Sequence, residues 1–241
     1  MSRNETYSPE GLRVDGRRWN ELRRFNCKIS THSNSADGSS YVELGLTKII
    51  CLVNGPHEPE SRSHTNVDQA HINVEVKILP FSTIERTKKR GKNDKNLQEM
   101  GISIQRLFQE ALLVHLYPRT VIDVSLFIVA QDGGLYSACI NAATLALIDA
   151  GISMVDYVSC ASTAMFGTNA LLDPSYSEER EVPFVNVAII GKSERISLLL
   201  CESRLPLDRL ETALAVSLSG CHSLRELMDK EVRAHGKSLK Y

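Results

Sequence analysis

Residues 131–152 read QDGGLYSACINAATLALIDAGI. Ala138, Cys139, Ile140, Ala142, Ala143, Leu145, Ala146, Leu147, Ile148 and Ala150 leave almost no polar face. A helix apolar all round belongs inside a domain. It is too short to span a bilayer, which takes about 20 apolar residues. Gly133 and Gly134 precede it. Two glycines let the backbone approach a partner closely, and the first helical turn presents free N–H groups at a positive dipole end. That combination is a candidate anion site.

Working outward, residues 121–130 are rich in β-branched side chains and predict a strand feeding the Gly-Gly turn. Residues 98–116 carry Met100, Ile104, Leu107, Phe108, Ala111, Leu112 and His115 at helical spacing, with Pro118 as the stop. Further strands are predicted over 22–29, 39–44 and 48–54, the last ended by Gly55-Pro56, and over 71–78, where Ile72, Val74, Val76 and Ile78 alternate with polar residues. After Gly151 the pattern restarts with strands over 158–166, 169–172, 184–190 and 195–201, then a long helix over 208–232. Two strand-rich halves, each closed by a long helix, predict an α+β domain with mixed sheets. Residues 1–20 read as a polar arm, and residues 21–241 as one domain.

The chain has 241 residues and a formal net charge of −1, so a surface basic enough to hold nucleic acid must be local. The first thirty residues lack the apolar core of a signal peptide. Six cysteines are scattered without a CxxC pair, which predicts reduced, mostly buried thiols in an intracellular protein. His57, His64 and His71 recur every seven residues, but no ligand cluster accompanies them and no metal is expected there. The one basic run holds Arg86, Lys88, Lys89, Arg90, Lys92 and Lys95 against Asp94 alone. With Gly91 and Asn93 inside it, the run predicts a loop.

Several landmarks together resemble one family. They are Arg13-Val14-Asp15-Gly16-Arg17-Arg18, Ala36-Asp37-Gly38-Ser39, Tyr117-Pro118-Arg119-Thr120-Val121-Ile122-Asp123, Asp132-Gly133-Gly134 and Leu147-Ile148-Asp149-Ala150-Gly151-Ile152. In this order and spacing they resemble the ribonuclease PH family, and within it the ring subunits of the eukaryotic RNA exosome. The resemblance covers nearly the whole chain. It implies the ribonuclease PH-like fold (ribosomal protein S5 domain 2-like), with mixed sheets and long packed helices.

Active members of that family release nucleoside diphosphates from RNA 3′ ends by phosphorolysis. The resemblance places their phosphate at the start of the central helix, held by backbone N–H groups and a Ser/Thr-Arg pair after the glycine. Here Leu135-Tyr136 follows Gly134, and neither residue supplies a charged fork. Independently of any family, the only Lys or Arg between Thr120 and Gly191 is Arg180. Losing a charge-assisted contact costs roughly 1.5–3 kcal/mol, against about 0.3–2 kcal/mol from a helix terminus. The sequence thus predicts a vestigial phosphate site at Gly134, Leu135 and Tyr136.

The resemblance carries the family's catalytic aspartate onto Asp173, in Leu171-Leu172-Asp173-Pro174, and its second aspartate onto Glu179. The bland alternative makes Asp173 a turn cap and the glutamates a solvated loop. Pore-lining RNA contacts fall on Lys95 and Asn96, on Arg62-Ser63, and on the basic loop with Arg86, Lys88, Lys89 and Arg90. Such contacts are sequence-independent and salt-sensitive.

The resemblance therefore implies a non-catalytic exosome ring subunit that guides RNA 3′ ends, with no cofactor and no membrane. Implied partners are other ribonuclease PH-like ring subunits, KH and OB-fold cap proteins, a hydrolytic exoribonuclease and single-stranded RNA. Implied locations are nucleus, nucleolus and cytoplasm. The alternative is a phosphorolytic exoribonuclease, active once paired with its ring neighbour.

Overall fold

The apolar run after Gly134 forms helix α2 (Leu135–Asp149), with every side chain from Ser137 to Leu147 buried. The structure, a computed structural model, describes residues 7–8, 11–59, 68–83 and 94–238. A first sheet contains β1 (Phe25–Ile29), β2 (Gly38–Leu44), β3 (Thr47–His57), β4 (His71–Ile78) and β5 (Val121–Ala130), in the order β1-β2-β3-β5-β4. Its pairings are antiparallel except β4–β5, which is parallel. A parallel pair needs a crossover, and α1 (Lys95–Ala111) lies within that connection.

The second sheet holds β6 (Val158–Phe166), β7 (Asn169–Leu172), β8 (Phe184–Ile190) and β9 (Ile196–Cys201), ordered β7-β6-β8-β9 and wholly antiparallel. A short α3 (Tyr176–Glu181) joins β7 to β8, and α4 (Leu207–Ser238) closes the chain.

Helix α2 packs on β2 and β3 on one side and on β6 on the other. Small residues set the distance: a Cβ on Gly38 would sit 2.3 Å from the Ala146 carbonyl oxygen. The buried polar residues of α2, Ser137, Asn141 and Thr144, have matched partners, as buried groups must. Asn141 Nδ2 donates to the Cys160 carbonyl and its Oδ1 accepts from the Cys160 N–H, each at 3.0 Å. Strand β7 pairs only with Thr163–Phe166, so this amide serves a stretch of β6 that β7 leaves open. Helix α4 turns Ala213, Ser217, Gly220, Cys221, Leu224 and Met228 inward. It lies on β6, β7 and β8 and also touches β1 of the first sheet. The α+β architecture with mixed sheets and long packed helices is as expected.

Boundaries differ where tertiary contacts overrule local pattern. Helix α1 begins at Lys95 because Leu97 extends its apolar stripe, so Lys95 and Asn96 form its first turn instead of ending a loop. It stops at Ala111, well before Pro118. Leu112 leaves in an extended conformation and bridges to Met154, and the Leu113 N–H bonds to the Ser153 carbonyl. Gly55-Pro56 does not end β3, which absorbs the proline through a register shift between Asn54 and His57. Helix α3 replaces the expected loop, held by a capping box between Ser175 and Glu178.

Candidate functional site

The first turn of α2 sits on a knot of charges drawn from three distant segments. Gly133 and Gly134 both have positive φ, +76° and +63°, and neither has room for a side chain. A Cβ on Gly133 would lie 2.7 Å from the Pro174 carbonyl oxygen, and one on Gly134 2.6 Å from Arg23 Nη2. The glycines do admit a close partner, as the sequence implies. The partner is this chain itself.

Arg23 is the centre of the knot. Its backbone N–H and Nε both donate to Asp173 Oδ2 at 2.9 Å, and Nη2 donates to Asp173 Oδ1 at 2.7 Å. The same guanidinium donates to the carbonyls of Asp132 and Gly133. Burial works against the charge on Arg23, but its bonds to Asp173 and the carboxylates of Asp173, Asp132 and Glu179 raise its pKa overall. Asp173 is only 2 % exposed and adopts φ +53°, a left-handed conformation that aspartate tolerates better than most residues.

A second pair reinforces the first. Arg13, 4 % exposed, forms an ion pair with Glu178 and donates to the carbonyls of Leu172 and Asp173. Burial opposes ionisation of Glu178, yet Arg13 and the Ser175 N–H hold its pKa below the ordinary carboxylate value. Arg17 donates to the Asp173 carbonyl at 3.0 Å. Arg13 and Arg17, within the arm expected over residues 1–20, thus fasten it to the β7–α3 connection, as Arg23 does just beyond it.

Glu179 closes the arrangement. Its Oε1 accepts the backbone N–H of Gly134 at 2.7 Å. Burial, joined by the negative charges of Asp173 and Asp132, pushes its pKa up to about 6 despite the Gly134 N–H and Arg23. The helix start that could serve an external anion already holds an internal carboxylate.

Beside this knot opens a cleft of about 1150 Å³ between α1, α2, α3 and the β8–β9 side of the second sheet. Leu135 and Tyr136 line it, and so does Asn96. Its described lining carries the carboxylates of Glu99, Asp132, Glu179 and Glu202 against the single cation Arg180, whose guanidinium lies 5.7 Å from the Tyr176 ring centre. A phosphate dianion about 5 Å from one such carboxylate meets roughly 6–7 kcal/mol of repulsion at an effective dielectric of about 20. The helix terminus returns only about 0.3–2 kcal/mol, and the nearby cation, Arg23, is already engaged by Asp173 and Asp132.

The structure places Gly134, Leu135, Tyr136, Asp173 and Glu179 close together at the start of α2, in surroundings other than those the sequence suggests. Asp173 is neither a simple turn cap nor a free acid, because its carboxylate is committed to Arg23. Glu179 is not in a solvated loop. A cation does stand at Gly134, supplied by Arg23 from the far end of the chain, which a search of the local segment misses. Lys95 is exposed at the start of α1. Arg62, Ser63, Arg86, Lys88, Lys89 and Arg90 lie outside the described residues, as does His64. Among the described residues no cluster of three or more His, Cys, Asp or Glu has metal-binding geometry. The buried thiols of Cys51, Cys139, Cys160 and Cys221 have pKa values raised by burial, which makes them poor nucleophiles.

Two family models, described as domains 1 and 2 of the 3′ exoribonuclease family, ribonuclease PH, match residues 21–153 and 156–220. The chain belongs to the ribonuclease PH family. Among relatives, the exosome complex component SKI6 of Saccharomyces cerevisiae is 51% identical over 237 residues, covering 98% of this chain and 96% of that protein. The exosome complex component RRP41 of Homo sapiens is 40% identical over 237 residues, with the same coverage of 98% and 96%. The crystal structure of rice (Oryza sativa) Rrp46 superposes with a TM-score of 0.81 at 25% identity, covering 92% of this chain and all of that one. An Archaeoglobus fulgidus exosome structure with RNA bound to the active site superposes at 0.77 and 22% identity, over 90% of this chain and 92% of that chain. The fold is thus the ribonuclease PH fold, and the charge knot lies where its two matched halves meet.

Two stability measurements check this reading. Asp173→Asn strands Arg23 in the interior and is expected to cost about 3–5 kcal/mol in denaturant unfolding; a loss below 1 kcal/mol would remove Asp173 as the fastening point. Glu179 has a folded pKa near 6, above its ordinary 4.5, so the folded state holds a proton that the unfolded state has lost in that window. Its contribution is full below about pH 4.5 and disappears as pH rises through about 6. Glu179→Gln, which cannot titrate, should gain on the wild type by up to about 2 kcal/mol between those pH values. A pH-independent difference would contradict the assignment.

Proposed function

We propose that this chain is a non-catalytic ring subunit of an RNA exosome, which scaffolds the ring and guides RNA 3′ ends toward an associated nuclease. The observation that carries the non-catalytic part is the Glu179 carboxylate on the Gly134 N–H, with Asp173 committed to Arg23. A phosphorolytic site needs a bound phosphate nucleophile and cations to neutralise it. Here the N–H is occupied, the described cleft wall is predominantly acidic, and Leu135 and Tyr136 add no charge. The ring assignment is supported by relatives named as exosome components along nearly their whole length.

Guidance of RNA rests on the basic run from Arg86 to Lys95. Thr83, described before the run, and Asn96, which follows it, both line the cleft. Lysine and arginine contacts to phosphates hold any sequence. This reading entails ring neighbours of the same family, KH and OB-fold cap proteins, a hydrolytic exoribonuclease and sites of action in nucleus, nucleolus and cytoplasm. The competing reading, a phosphorolytic exoribonuclease active when paired, draws on the convergence of Asp173 and Glu179 beside Gly134.

The chain assembled with its ring partners should release no nucleoside diphosphates from a 3′-tailed RNA given inorganic phosphate and Mg²⁺. Phosphate-dependent release that vanishes on Glu179→Ala would install the competing reading. Charge reversal at Lys88, Lys89, Arg90 and Lys95 should leave assembly intact but shorten the RNA segment protected by the assembled ring. Unchanged protection would sink the guidance claim.

A further inference from the structure

Helix α3 rests on two neighbouring glutamates set in opposite surroundings. Glu178 faces Arg13, whose Nε donates to Oε1 at 2.8 Å, and its Oε2 accepts the Ser175 N–H at 2.7 Å. A carboxylate between a guanidinium and an N–H is favoured in its ionised form. Glu179, one residue on, lacks a cation of its own. Among the described residues its carboxylate is hydrogen-bonded to the uncharged Gly134 N–H alone, at 2.7 Å.

The charges that face Glu179 sharpen the contrast. Asp132, ahead of α2, and Asp173, after β7, are both negative and both oppose a third carboxylate. Arg23 is the cation nearby, but its guanidinium is bonded to Asp173 and to the carbonyls of Asp132 and Gly133. In the same cleft, Glu99 of α1 and Glu202 just after β9 add negative charge, and Tyr136 of α2 adds none. On α3 itself the charged neighbours are Glu178, Arg180 and Glu181. The contact is also close. A Cβ on Gly133 would lie 2.7 Å from the Tyr176 nitrogen, so α3 sits directly on the turn before α2. A carboxyl group in such a place keeps its proton to higher pH, up to about 6 for Glu179.

We propose that Glu179 is a proton-operated catch between α3 and α2: gaining a proton tightens its contact with Gly134, and losing it loosens the last turn of α3. Glu178 stays paired with Arg13 on both sides of the transition, so the helix keeps its footing while that turn moves. The side chain that moves with Glu179 is Arg180, the single cation of the described cleft lining, whose guanidinium lies 5.7 Å from the Tyr176 ring centre. The cleft thus presents its cation differently in acid and at neutral pH. The contact forms under both conditions, and acid deepens it.

Amide hydrogen exchange on the full chain, without RNA, tests the proposal, with rates corrected for the intrinsic effect of pH. The reporters are the Gly134 amide and, in α3, the amides of Glu179 and Val182, which bond to the Ser175 and Glu178 carbonyls. Closing favours the protonated carboxyl, so their protection should rise roughly tenfold as pH falls from about 7.5 to about 5. Ala143, in the middle of the buried α2, reports global unfolding and should exchange more slowly than any of them at about pH 7.5. Glu179→Gln should abolish the rise, and Glu181→Gln, at an exposed position in the same turn, should retain it. Protection that does not change with pH, a rise that survives Glu179→Gln, or exchange at Gly134 as slow as at Ala143 throughout overturns the proposal. Because neither RNA nor a ring partner takes part, the result is independent of whether the assembled ring releases nucleoside diphosphates.

Discussion

The contact between Arg23 and Asp173 ties together parts of the chain that nothing local would join. Arg23 leads into β1 of the first sheet, Asp173 leaves β7 of the second, and the guanidinium also caps the carbonyls of Asp132 and Gly133 ahead of α2. Removing two charges from water is costly, and their attraction offsets that cost only when every remaining donor and acceptor finds a partner. Here the backbone supplies those partners. Arg13 and Glu178 repeat the pattern one step further out. The glycine pair follows as a consequence, because a side chain at 134 would meet the guanidinium.

That constraint separates fold from chemistry. A helix N-terminus preceded by two glycines suits an anion, and in this chain the anion is the Glu179 carboxylate. An external phosphate would have to displace a group tethered a few ångströms away, whose effective concentration is in the millimolar range or above. It would also have to enter past several like charges. The same parts that place an acid and a phosphate site near each other are here engaged with one another within the chain.

Much of the fold was legible from periodicity. β6, β7 and β8 match their predicted ranges, and α2 is buried on all sides because its composition permits nothing else. These signals are local. The Arg23–Asp173 pair joins residues 150 positions apart, and no local pattern contains it. Arg23 fell within a predicted strand, where its charge had no assigned purpose. The α3 helix was legible in principle, since Ser175 and Glu178 have the spacing of a capping box. Its five polar or charged neighbours between Ser175 and Glu181 read instead as solvent-facing loop. Glu178 is buried because of an arginine 165 residues away, a fact of topology.

The Gly133-Gly134 pair illustrates how one motif sustains two different explanations. From sequence, free N–H groups after paired glycines point to a ligand, and that inference is sound where a cationic side chain follows. Here Leu135 and Tyr136 follow, and the steric requirement at both glycines is met wholly within the chain: the Pro174 carbonyl at one, Arg23 at the other. Substitution at either glycine would therefore damage the fold whether or not phosphate ever binds, so loss of function on such a change is no sign of catalysis. The charge of the cleft is the more discriminating feature. Packing can demand a glycine, but it does not demand that the described wall of the cleft carry Glu99, Asp132, Glu179 and Glu202 with Arg180 as its one cation.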